Sequence, residues 1–94
     1  MSDDSKTYHN ITEQIFDCVK RESKKEHGTV YDPANGDSGT ATTKVSFVGT
    51  IEMKFNLQNG DLTYTIVKKP GLVPESKIWD GICDTIKSCG GDCN

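Results

Sequence analysis

The sequence predicts an α+β fold. It is a two-layer sandwich in which an antiparallel sheet of three to four strands carries N- and C-terminal helices on one face, in the order α-β-β-β-α. The first observation behind this is a period of two. Val45, Phe47, Ile51, Met53, Phe55 and Leu57 are apolar at odd positions, and after Asn59-Gly60 the apolar parity moves to Leu62, Tyr64 and Ile66. The second is register. A two-residue turn at Asn59-Gly60, the dipeptide that favours a type I′ hairpin, sets Leu57 opposite Leu62, Phe55 opposite Tyr64 and Met53 opposite Ile66. A slip of one residue would turn all of these side chains to the wrong face, so the pairing is well specified. The third is that a segment with helical periodicity stands on either side of this region.

Taken in order, residues 1–6 are polar and are expected to fray. Over residues 7–27, Tyr8, Ile11, Ile15, Cys18 and Val19 form one apolar stripe, with Phe16 on its flank. Ser5 or Asn10 is the expected N-cap. Gly28 suits the left-handed C-terminal cap after Lys24, Lys25 and His27, which favour the negative pole. Residues 29–31 are β-prone and read as an edge strand. Residues 32–43, rich in Gly, Asp, Asn, Ser and Thr, read as a long loop. An EF-hand calcium loop fails there. With Gly36 as its invariant glycine, ligand positions would fall on Tyr31 and Pro33.

A single strand over residues 45–57 would span roughly 40 Å. That is too long for a domain whose radius of gyration should be about 12–13 Å. Gly49 is therefore the expected site of a bend or a meander. Pro70-Gly71 leads out of the sheet, and a second helix starts near Pro74 or Ser76. Ile78, Trp79, Ile82, Ile86 and Cys89 make its apolar stripe, and Gly81 is assigned to its outer side. Gly90-Gly91 ends it, leaving residues 90–94 as a flexible tail of a single domain spanning residues 1–94.

A chain of 94 residues with 33% hydrophobic content has a modest core. A net charge of -3 disfavours nucleic acid as a partner. Lys20, Arg21, Lys24 and Lys25 alternate with Glu22 and Glu26, which reads as a solvated helix surface. No apolar run reaches the roughly 18 residues of a membrane span, and no membrane partner is expected. The polar N-terminus lacks the pattern of a secretory leader, so the expectation is a cytoplasmic protein with reduced thiols.

The residues able to carry chemistry are sparse. Cys18, Cys83, Cys89 and Cys93 lack the two close pairs of a zinc site. The leading expectation is that Cys18 and Cys89 are small core residues and Cys93 is free on the tail. A disulfide, Cys89–Cys93 or Cys18–Cys83, comes second, and redox or metal use third. A thiol at a helix C-terminus faces partial negative charge, which raises its pKa and disfavours redox reactivity. His9 and His27 have no nucleophile at a recognisable spacing. Asp32 and Asp37 share a loop, Asp80 and Asp84 an exposed helix face, and neither pair has the burial that tunes a catalytic carboxylate. No catalytic residue, metal or cofactor is assigned. Phe47, Phe55 and Tyr64 could suggest a base-stacking platform, but their parity places them against the helices. The sequence thus points to a non-enzymatic binding protein. An apolar ligand would lie between helices and sheet near Phe55, Tyr64 and Trp79; a protein partner would meet the 32–43 loop or the outer face at Thr63 and Thr65. The alternative is a thiol-dependent redox or metal protein built on Cys83, Cys89 and Cys93.

Overall fold

The computed structural model describes residues 4–93. Its elements are β1 (Ser5–Tyr8), α1 (Glu13–His27), β2 (Val30–Asp32), β3 (Ser38–Val45), β4 (Gly49–Gln58), β5 (Asp61–Lys68) and α2 (Glu75–Ser88). They build a five-stranded antiparallel sheet in the order β1-β5-β4-β3-β2, under two helices. The α+β class and the terminal placement of the helices agree with expectation. The strand count is higher, and the element order becomes β-α-β-β-β-β-α.

The β4–β5 hairpin has the register set by its turn: Leu57 faces Leu62, Phe55 faces Tyr64 and Met53 faces Ile66. Asn59 and Gly60 take φ of 54° and 82°, as a type I′ turn requires. A bulge between Glu52 and Met53 then pairs Glu52 with Lys68. The long apolar stretch does divide, but around Phe47 instead of Gly49. Val45 pairs with Gly49 and Thr43 with Ile51, leaving Ser46, Phe47 and Val48 as the turn. Phe47 is thereby fully exposed, contrary to its parity.

Two strands come from segments expected to be unpaired. Residues 38–43 form most of β3 because threonine, a loop residue by composition, is also β-branched and fits a pleated surface. Ala41 points inward and is fully buried, while Thr40 and Thr42 point outward. Ser5 and Lys6, expected to fray, lie in β1, where Ser5 bonds Thr65 at 2.7 Å and Thr7 bonds Thr63 at 2.8 Å through their hydroxyls. Residues 1–3 and Asn94 of the expected tail lie outside the described residues.

Strand β1 shortens α1 at its start. Thr12, not Ser5 or Asn10, is the N-cap, accepting from the Ile15 N–H at 3.1 Å. Gly28 closes the helix at φ 68°, as expected. Phe16 and Val19 of α1, Ile78, Trp79 and Ile86 of α2, and the inward residues of the sheet form one buried cluster. The Cα radius of gyration is 12.2 Å.

Candidate functional site

The site grows out of how the helices meet. Cys18 of α1 is bonded to Cys89, the residue capping α2, with Cα atoms 5.7 Å apart. Both cysteines lie on the apolar stripes of their helices, so two stripes brought face to face bring the thiols together. The expected core thiols and the alternative pairings Cys89–Cys93 and Cys18–Cys83 are therefore corrected. The second bond joins Cys83 to Cys93, with Cα atoms 5.4 Å apart. Past α2 the chain doubles back, the Gly91 N–H donating to the Ile86 carbonyl at 2.9 Å, and this lays the tail along the helix it has just left. No cysteine is free among the described residues.

The disulfide holds the first half of α1 against the end of α2. At the other end the helices leave a crevice of about 140 Å³ above the sheet. Ser23 and His27 of α1 form one wall; Lys77, Ile78, Gly81 and Ile82 of α2 form the other; Thr29, Tyr31, Thr43 and Met53 form the floor. Gly81 is half-buried on this wall and not on the outer side, and a β-carbon placed there would meet nothing within 4 Å. Small side chains where two helices and a sheet converge create the space.

The lining is amphiphilic. Thr29 and Thr43 share a hydroxyl hydrogen bond of 2.6 Å, and the Tyr31 and Tyr64 phenols share one of 2.7 Å. No buried side-chain polar atom among the described residues lacks a partner. Burial raises the Tyr31 pKa, opposed by its hydrogen bonds with Tyr64 and Ser23. It pushes Tyr64 well above the usual phenol value, with Tyr31 adding to the effect. Both phenols stay protonated through the neutral range, so they exchange hydrogen bonds and do not serve as nucleophiles.

The residues expected to hold a ligand lie beside this crevice and do not line it. Phe55 packs edge-on against Phe16 and Tyr31, with ring centroids 5.6 and 5.1 Å away. The Lys20 ammonium, 4.3 Å from the Phe16 centroid, donates to the carbonyls of Ala34 and Gly36 and fastens the β2–β3 loop to α1. Tyr64 is buried beneath Tyr31. Trp79 is buried on α2, and its carbonyl accepts from the Tyr8 phenol at 3.4 Å. Burial and the nearby Asp80 carboxylate push Tyr8 up to about 12. Tyr31 joins the two sets: its ring touches Phe55, its hydroxyl reaches Tyr64, and its other side faces the crevice.

The remaining polar groups of the described residues make no second centre. His9 and Asp61 pair at 2.8 Å on an exposed surface. Glu13 is raised by its hydrogen bond with Asp37, but it is fully exposed, and no group of three metal-binding side chains occurs among the described residues. No described helix is long and apolar enough to cross a membrane. Neither a family model nor a curated protein nor a solved structure matches this chain.

Proposed function

We propose that this chain is a small non-enzymatic binding protein that takes one compact amphiphile, a single ring or a short chain bearing a hydroxyl, between its helices. The observation that carries this reading is the crevice of about 140 Å³, with Met53, Ile78 and Ile82 as its apolar part and Ser23, Thr29, Tyr31 and Thr43 as its polar part. Drug-sized ligands occupy pockets of about 300 Å³ or more, whereas an apolar cavity of about 150 Å³ takes one benzene. The volume therefore sets an upper limit of about one ring. The hydroxyls favour a ligand that both donates and accepts over a pure hydrocarbon.

The disulfides add a compartment to the proposal. Both bonds close within one small domain, which suits an oxidising environment better than the reduced cytoplasm expected from the sequence. Thiol titration of the purified native protein should find no reactive cysteine until a reductant is added; four reactive thiols in the untreated protein would contradict it. The redox or metal alternative needs thiolates at Cys83, Cys89 and Cys93, and none is free among the described residues.

The ligand reading is tested with probes that do not absorb where tryptophan does. Titration of the oxidised protein with cyclohexanol and 1-hexanol should shift the emission of Trp79, the residue next to Ile78, in a saturable way. A strictly linear response to both alcohols would count against a site.

A further inference from the structure

Beyond the crevice, one end of the molecule carries side chains that the fold does not use. The turn between β3 and β4 and the connection from β5 to α2 come together there. A β-carbon on Gly49 would stand 3.0 Å from the Pro70 ring, and Val48, Thr50, Lys68 and Lys69 line the shallow trough between the two loops. Phe47 is fully exposed at the tip of the first loop, and Leu72 is 86% exposed in the second. Val67 and Val48 add further exposed apolar surface. Phe47 also takes φ 65°, a left-handed backbone that a bulky side chain rarely adopts and that a glycine or asparagine would hold at lower cost. A strained phenylalanine in full contact with solvent is two departures from what folding alone would select.

Charge gives the end its direction. Lys44, Lys68 and Lys69 border the apolar residues, and residues 44–50 and 67–74 hold no aspartate or glutamate, the flanking carboxylates being Glu52, paired with Lys68 across β4 and β5, and Glu75 at the start of α2. At the opposite end, around the Asn59-Gly60 turn, stand Asp61, Asp37 and Glu13. The molecule is thus polarised along its strands, with a cationic apolar tip and an acidic base.

We propose that this tip docks on an anionic lipid surface, with Phe47 and Leu72 entering the boundary between headgroups and acyl chains while Lys44, Lys68 and Lys69 meet the lipid phosphates. Exposed apolar side chains ringed by lysines are what such a boundary selects. Two narrow loops offer little of the roughly 800 Å² per partner that a specific protein interface needs, whereas a bilayer accepts a protruding tip without shape complementarity. The expectation from the sequence, no membrane partner, follows from the absence of a long apolar run; here the apolar residues are neighbours in space and distant along the chain. The inference is independent of what the crevice binds.

Flotation of the full oxidised chain with vesicles tests it. Vesicles of phosphatidylcholine containing about a third phosphatidylserine should carry the protein, pure phosphatidylcholine vesicles should carry far less, and high salt should release it. Phe47→Ser with Leu72→Ser should lower the partition coefficient about tenfold or more. Lys68→Gln with Lys69→Gln should lower it on the order of tenfold. Lys54→Gln with Lys87→Gln, an equal loss of charge elsewhere, should change it by no more than about twofold. Matching circular dichroism and thermal unfolding would show that the loop variants are folded. Failure of the wild type to float with anionic vesicles, or floating that Phe47→Ser with Leu72→Ser leaves intact, would overturn the proposal. Self-association without vesicle binding, lost in that variant, would overturn it too and assign the tip to a second copy.

Discussion

At one end of the helix pair Cys18 and Cys89 are bonded, and Ile15, Ile86 and Gly91 crowd so closely that a β-carbon on Gly91 would lie 2.7 Å from Ile86 and 3.2 Å from Ile15. At the other end Ser23 of α1 and Gly81 of α2 face each other across open space, above the hydrogen-bonded Thr29–Thr43 pair. The sheet beneath is continuous and the helices are the same, so side-chain size decides the difference. Ile15 and Ile86 close on Gly91 at the packed end; at the open end Gly81, Ser23 and Thr29 are too small to fill the space beside Met53, Ile78 and Ile82. A covalent bond at the packed end also lets the other end remain open at little risk to the fold. The bond lies at one end of the pair and the proposed binding volume at the other.

Breaking the packed end should have the largest effect. The Cys18–Cys89 bond spans 71 residues, and the chain-entropy account gives about 4 kcal/mol for a loop of that length. Cys18→Ser with Cys89→Ser should lose about that much in denaturant unfolding. The Cys83–Cys93 bond spans only 10 residues, so Cys83→Ser with Cys93→Ser should lose less, about 2–3 kcal/mol. Equal losses would mean that the helix pair is not pinned by the longer bond.

The floor of the open end comes next. Tyr31→Phe removes the partner of the buried Tyr64 hydroxyl and should cost about 1–3 kcal/mol in the same measurement. Alkaline unfolding probes the same groups. Tyr8, Tyr31 and Tyr64 all ionise less readily in the folded chain, so the stability they confer is complete below pH 10.0 and is lost as the pH rises towards the Tyr8 value of about 12. Unfolding in this window should coincide with the appearance of tyrosinate absorbance. Tyrosinate formed in a still-folded protein near pH 10.0, the ordinary phenol value, would contradict the burial of these phenols.

The smallest effect is a gain. Gly81 is helical and faces open space, so Gly81→Ala should raise stability by about 1 kcal/mol and leave the packed end unaltered. A loss of stability would mean that the crevice is narrower than its lining indicates.

These contrasts also show what the sequence can carry. The β4–β5 register is legible because large apolar residues alternate and Asn59-Gly60 fixes the turn. Strand β1 is hidden because Tyr8 continues the helical stripe of Ile11 and Ile15 as well as it ends a strand. Strand β3 is hidden because glycine and threonine have the composition of a loop, and only pairing on both sides turns Thr40-Ala41-Thr42 into a strand. Cys18 and Cys89 stand on the correct stripes in the sequence; which stripes face each other is a tertiary fact. The crevice leaves no signal of its own: Met53, Ile78 and Ile82 read as ordinary core positions, and the space between them comes from the smallness of Gly81, Ser23 and Thr29. Phe55, Tyr64 and Trp79 attract attention as large aromatics, and large aromatics fill cores. Tyr31, which joins that core to the crevice, was readable only as part of a short edge strand.

Whether the open end is a binding volume can be decided by amide chemical shifts during titration of the oxidised protein with cyclohexanol, in the wild type and in Gly81→Leu. Saturable shifts confined to residues around Thr29, Tyr31, Thr43 and Gly81 are expected in the wild type, and their loss when leucine occupies the space. Shifts scattered over the surface, or the same saturable response in Gly81→Leu, would contradict a binding volume there.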